Sequence, residues 1–468
     1  MNTSETTLAQ DEPTDVQRSQ FRSRDERIAA GKALRERVLR KAHADWTPSR
    51  DRRDPIDILE ESNRDRVQHL VPIRYGRMLR SPFTFLRGSA GLMASDLATT
   101  PNTGIRVQAC GDCHLLNFGL FATPERNLIF DINDFDETLP APWEWDVKRL
   151  AVSFVVAARD NRRSDEDARD TAVACVGAYR KHLRDDSKQS PLDVWYERID
   201  MQSLIDNAPD AETKKRRQEL AEQARRRIGE FLFPKISAPV GGRQRLVDQA
   251  PLLFHNEDKD EEANIRDGIE AYRSSLPDDR RVLFDRYRLE DFAAKVVGIG
   301  SVGTRCFVGL FFSAEGHPLL LQFKEAGTSV LAPYAGKSIY ENQGQRIVVG
   351  QRLMQSASDI FLGWTKGRRG YHFFGRQLRD MKFSLPIEEL SIGQMTRYAE
   401  FCGMTLARAH AKSGDAALIS GYLGKTDTFD AAIGDFALAY ADQTERDHAA
   451  LVAAARAGRI EALVEEDL

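Results

Sequence analysis

The sequence predicts an α+β protein of two lobes, a large and mostly helical one and a small β-rich one that comes late in the chain. Three observations carry that expectation. Helix-period apolar patterns start at Trp143, persist in charged sequence over 165–285, and return at 391–412 and 428–457. Between these stretches, residues 291–378 turn to β-branched and aromatic runs broken by Gly turns. Ahead of the helices, residues 105–131 read as a short strand–loop–strand block that ends in an acid.

The organisation follows in chain order. Residues 1–60 are rich in Arg, Asp, Glu and Ser with almost no apolar periodicity, and read as a flexible charged N-terminal segment. Residues 61–285 form the helical lobe, with ordered structure beginning near 67–79 and an irregular stretch at 81–91. Residues 286–382 form the small β-rich lobe: strand, Gly turn and strand over 295–312, a third strand at 319–324, a helix over 343–356, and a hairpin of 360–364 with 371–378. Residues 383–468 supply helices that complete the large lobe.

Composition excludes several classes of function. With 67 Lys and Arg against 71 Asp and Glu the formal net charge is −4, so no nucleic-acid partner is expected. The basic clusters at 214–217 and 225–227 lie among Glu and Gln at helical spacing, as on a solvated helix face. No run approaches the about 18–20 apolar residues that cross a bilayer, and the N-terminus has no apolar signal core. Five scattered cysteines form no disulfide framework. A cytoplasmic protein with no membrane partner is the expectation.

The densest chemistry is the run from Cys110 to Asn117 (Cys-Gly-Asp-Cys-His-Leu-Leu-Asn), followed by Phe130 to Glu137 (Phe-Asp-Ile-Asn-Asp-Phe-Asp-Glu). An Asp, an Asn five positions on, and an Asp at the end of a short strand suit phosphoryl transfer. The first, Asp112, would orient and deprotonate an acceptor hydroxyl. Asn117 and Asp131 would hold Mg²⁺ against phosphate oxygens. Asp134 and Asp136 would either share that metal or cap the following helix.

Gly298-Ile-Gly-Ser-Val-Gly303 fits a dinucleotide fingerprint, a plain tight turn or a kinase-type loop. A dinucleotide loop opens a helix, whereas residues 304–312 read as strand. Gly298, Gly300, Ser301 and Gly303 therefore read as a loop over ATP phosphates. Lys324 on the next strand would pair those phosphates, with Glu341 as its acidic partner. Arg77, Arg80, Arg87, Arg376 and Lys382 are either anion clamps or surface pairs. His114 reads as a structural hydrogen-bonder.

These motifs resemble the aminoglycoside phosphotransferase and choline kinase branch of the protein-kinase-like superfamily, which carries His-Gly-Asp, four residues, Asn, then Ile-Asp. The resemblance implies that Asp112 is catalytic, that Asn117 and Asp131 are metal ligands, and that Asp146, in Asp-Val-Lys-Arg-Leu-Ala, is a structural acid. Cys110 stands where that branch has His. In kinases the glycine loop precedes the catalytic Asp, and here it follows far downstream. No lysine occurs between Lys41 and Lys148, so no conventional nucleotide lobe lies upstream. A circularly permuted kinase-like fold reconciles the parts, provided the helix around 395–410 packs beside residues 110–117.

Across residues 60 to the end, the chain is also similar to the bacterial family known as domain of unknown function 2252. The carrying residues are Ser81-Pro-Phe-Thr-Phe-Leu-Arg-Gly88, the Gly-Asp-x-His-x-x-Asn-Phe-Gly run to Gly119, Asn133-Asp-Phe-Asp-Glu-Thr138, Gly350-Gln-Arg-Leu-Met354 and Ala407-Arg-Ala-His410.

The function expected is an ATP- and Mg²⁺-dependent phosphotransferase acting on a small-molecule hydroxyl. The first rival is a haloacid-dehalogenase-type phosphatase, because Asp134-Phe-Asp-Glu-Thr138 fits Asp-x-Asp-x-Thr; that class needs a β–α alternation the sequence lacks. A catalytically silent or nucleotidyl-transferring kinase-like protein is the other alternative. Haem attachment or zinc at Cys110, Cys113 and His114 lacks the export signal and the second ligand pair that each requires.

Overall fold

The structure, a computed structural model, describes residues 21–208, 210–255, 259–296, 298–378 and 381–463. It is a mixed α+β protein. The helix Trp143–Asp160 is buried along nearly its whole length and forms the axis of the largest core. Its apolar run explains that burial, and Glu144 and Asp146 in its first turn suit the positive end of the helix dipole. Around it pack the helices Asp165–Asp186, Ile392–Ser413 and Thr428–Arg456. Two pairings of short strands, Arg106–Ala109 with Leu139–Pro142 and Phe118–Ala122 with Leu128–Ile132, bracket the segment that carries the acidic–amide cluster.

The other body is a six-stranded sheet. Its strands lie in the order Gly363–Lys366, His372–Gln377, Pro318–Glu325, Cys306–Ser313, Tyr287–Lys295 and Leu253–Phe254. Every ladder among the described residues is antiparallel. The glycine loop joins two neighbouring strands, with Ala294 opposite Phe307, and Lys324 lies opposite Cys306 on the third.

Three sequence boundaries move. The β-rich body takes in residues well before 286. Leu253–Phe254 adds an edge strand, the helix Gly229–Ile236 packs on Pro318–Glu325, and Tyr272 enters the aromatic cluster of Phe311 and Phe323. A two-residue strand and a helix with one narrow apolar stripe leave little periodicity to read. Residues 81–91, expected to be irregular, contain the helix Pro82–Gly88, started by a capping box between Ser81 and Thr84. The charged segment 1–60 lies partly outside the described residues, but from Arg24 it is structured. Arg24–Ala33 is a helix docked on Ala416–Leu423, and His43 is buried with its Nε2 2.7 Å from the Tyr422 hydroxyl. Its order comes from long-range partners, which local composition does not register.

Candidate functional site

The acidic–amide loop is held from below by buried groups. Gly111 adopts φ +87°, and a Cβ there would stand 2.5 Å from the Glu137 carbonyl oxygen, so only glycine fits. Asp146 accepts from the amides of Cys110 (2.6 Å) and Gly111 (2.9 Å), while His410 Nε2 lies 3.2 Å from the same carboxylate. The helix Ile392–Ser413 thus lies against the loop, and Tyr398 donates to the carbonyls of Leu115 and Phe118.

Asp112 points up from this base. Its Oδ1 receives Arg149 Nε at 2.8 Å and also the Nη2 of the same guanidinium. Asn117 Nδ2 donates to the Asp112 carbonyl at 2.7 Å, which leaves the Asn117 side-chain oxygen for another partner. His114 is pushed down to about 4 by burial, against the pull of Asp112, so its ring is neutral near pH 7. The hydrogen-bonding role expected of His114 is not seen: its Nδ1 is buried without a partner, its Nε2 lies 3.9 Å from Asp112 Oδ2, and the residue lines the cleft described below.

From above comes the glycine loop. Arg66 donates to the carbonyls of Gly300 (2.9 Å) and Val302 (2.6 Å), and the Val67 amide donates to the Gly303 carbonyl (2.7 Å). A Cβ on Gly300 would lie 4.0 Å from Asp112 Oδ2, so the loop lies directly over the acid. Between loop and base lies a cleft of about 450 Å³, lined by Asp112, Asn117, Asp134, Asp136, Gly298, Gly300, Ser301 and Lys324, with Arg87, Arg376 and Lys382. Gly303 is not among the lining residues; it packs against Arg66.

Charge is concentrated at one end of the cleft. Lys324 Nζ contacts Asp136 Oδ2 and lies 4.0 Å from Asp134 Oδ2, while Ser301 Oγ donates to Asp136 at 3.3 Å. Burial works against ionisation of Asp134, yet Lys324, Arg376 and Lys382 together hold it below the usual carboxylate range. Asp136 moves the other way, raised by burial and by Asp134 beside it. Burial raises the cost of a charged Lys324, but the two carboxylates keep it protonated. For Lys382 the same two carboxylates do not suffice: burial, Arg376 and Lys324 outweigh Asp134 and Asp136 and push its amine down to about 7.

The expected site residues therefore divide. Asp112, Asn117, Asp134, Gly298, Gly300, Ser301 and Lys324 share one cleft. Asp131 does not reach it. Its carboxylate is fully buried and committed to Arg408 Nη2 at 2.5 Å, to the amide and hydroxyl of Ser356, and to the amide of Ile132. A carboxylate with that many donors is a structural anchor, and the acids of this segment that face the cleft are Asp134 and Asp136. Glu341 is exposed ahead of the helix Gln343–Met354, and the partners of Lys324 are Asp136 and Asp134. Neither acid caps a helix, because a strand, Leu139–Pro142, follows them. Arg149 and Arg408 were missed. Arg149 lies three residues after Asp146 in the same helix, a spacing that offered a signal. Arg408 pairs across 277 positions and offered none.

The chain belongs to the family described as an uncharacterized protein conserved in bacteria, domain of unknown function 2252, whose match spans residues 66–454. No curated protein and no solved structure matches the chain. No helix among the described residues is long and apolar enough to cross a membrane.

Proposed function

We propose that this member of the family is an ATP- and Mg²⁺-dependent phosphotransferase with a circularly permuted, kinase-like arrangement, acting on a hydroxyl of a small molecule. One observation carries the reading: the glycine loop and Lys324 face Asp112, Asn117 and Asp134 across a single cleft although they follow far downstream in the chain. The helix that must return to the catalytic loop in a permuted chain does lie against it, through Tyr398 and His410.

The residues divide the work as follows. Arg149 fixes Asp112 Oδ1, leaving Oδ2 to orient the acceptor hydroxyl and take its proton late. Phosphoryl transfer asks mainly for positioning and charge stabilisation, so a weak base suffices. Lys324 lies where it can exchange Asp136 for a phosphate oxygen, and Arg376 and Lys382 add positive charge at the same end. The donor set of Asn117, Asp134 and Asp136 suits a hard cation: all are oxygen ligands, and Asp134 is close enough to oppose the ionisation of Asp136. Mg²⁺ supplies charge neutralisation on the phosphate oxygens when bound. In this assignment Asp134 takes the metal role expected of Asp131.

The phosphatase alternative has less support. Antiparallel ladders throughout the described residues do not provide a β–α alternation, and Thr138 Oγ1 donates to the Ala109 carbonyl instead of facing the cleft.

Thermal shift tests the reading. ATP with Mg²⁺ at about 100 times its Kd adds about 2.7 kcal/mol of stability, and Lys324→Ala and Asp134→Asn remove that shift. Asp112→Asn keeps the shift and loses turnover. Absence of any shift with ATP or GTP sinks the proposal. Label transferred from the α-phosphate instead of the γ-phosphate would reassign it to nucleotidyl transfer.

A further inference from the structure

Away from the cleft, the helix Asp165–Asp186 ends in an arrangement that the phosphotransferase reading does not use. His182 and Asp186 lie one turn apart on the same face, and Glu197 comes back to them just after the helix Pro191–Tyr196. His182 Nε2 is 2.9 Å from Glu197 Oε1 and 3.7 Å from Asp186 Oδ1. One ligand atom from each residue falls within 4.8 Å of the other two.

The unusual member is Asp186. Its side chain is fully buried, and no hydrogen-bond donor reaches either oxygen. The second oxygen of Glu197 is also buried without a donor. A carboxylate stripped of water and left without donors is among the costliest groups to bury. It also sits on the last residue of a long helix, where the exposed carbonyls already make the potential negative. A carboxylate without any donor, a second with one oxygen unsatisfied and an imidazole converge at a helix C-terminus and call for positive charge between them. Arg408 is held to Asp131 through its Nη2, and its buried Nη1 makes no hydrogen bond to either carboxylate.

We propose that His182, Asp186 and Glu197 form a binding site for a divalent transition-metal ion. One nitrogen and two carboxylate oxygens make the borderline ligand set that takes Zn²⁺ ahead of Mn²⁺, with a fourth position left for water. Ligands of a tetrahedral zinc stand about 3.4 Å apart, so small side-chain rotations close the group. His182 would exchange its bond to Glu197 for the ion. Two carboxylates balance the charge of the ion, and the part-exposed His182 and Glu197 give it a route in from solvent.

The test uses the full-length chain stripped with EDTA and titrated with Zn²⁺ by calorimetry, with Asp134→Asn as a background that weakens any binding in the cleft. The expected result is one Zn²⁺ per chain in both backgrounds, weakened at least tenfold by His182→Ala and by Asp186→Asn. Co²⁺ in place of Zn²⁺ should give visible absorption of a tetrahedral site, lost in the same variants. Asp186→Asn should also raise the melting midpoint of the stripped chain while abolishing the rise on adding Zn²⁺, because it removes a buried charge and a ligand together. If that variant does not fold, Glu197→Gln at the part-exposed edge gives the same reading. Zn²⁺ binding that is absent, or undiminished in His182→Ala and Asp186→Asn, overturns the proposal and leaves a proton shared between the two carboxylates.

Discussion

The base and the roof of the cleft are built on opposite plans. In the base each acid is clamped by a buried partner: Asp131 by Arg408, Asp112 by Arg149, and Asp146 by two loop amides and His410. The roof is held by strand ladders and by Arg66 and Val67 gripping loop carbonyls, and the glycines above Asp112 touch little. A base of buried pairs fixes geometry before anything binds. A roof of backbone and glycine leaves room for a ligand to approach closely. The two halves should therefore fail differently: damage to the base costs folding, and damage to the roof costs binding.

The largest expected effect is at the base. Arg408→Ala leaves Asp131 buried without its cationic partner, and breaking a buried pair in this way costs about 3–5 kcal/mol. The urea midpoint should fall sharply, and the variant Arg408→Ala with Asp131→Asn should recover much of the loss. A cleft-facing role for Asp131 would instead leave stability unchanged.

A sharper contrast comes from one substitution in each half. Gly111→Ala meets both a left-handed φ and the Glu137 carbonyl, and such backbone strain costs about 1–3 kcal/mol before the clash is counted. Gly300→Ala meets only the Arg87 carbonyl at 3.5 Å and the Asp112 carboxylate at 4.0 Å, ordinary contacts. Its melting midpoint should match wild type while the stabilisation by ATP and Mg²⁺ shrinks. Equal destabilisation by both changes would erase the distinction between base and roof.

The smallest effect is on proton linkage. Lys382, at about 7, is charged below that pH and mostly neutral above it, whereas the unfolded amine stays charged to well above pH 9. Anion binding beside it favours the charged form, so nucleotide binding should weaken as pH rises from 6 to 8 and should draw up a proton at pH 8. Calorimetry in buffers of different ionisation enthalpy measures that uptake, and Lys382→Met should remove it.

Much of this was legible in sequence where the chemistry is local. The spacing of Asp112 and Asn117, the strand character after Gly303 and the lysine on the third strand all depend on neighbours within a few positions. The segment 81–91 was misread because a capping box and about two turns of helix give too short a period to detect. The start of the β-rich body was misplaced because its first strand is two residues long.

By itself, then, the sequence determined which residue types could perform the chemistry and which elements carry them. Only the tertiary structure decided which two of three nearby aspartates face the cleft, and which acids Lys324 meets. Asp131, Asp134 and Asp136 have the same carboxylate and nearly the same neighbours. Their fates separate because Arg408, 277 positions from Asp131, captures the first, and Lys324, 188 positions from Asp136, gathers the other two. Burial and long-range pairing set what a carboxylate does, and neither is written in its local sequence.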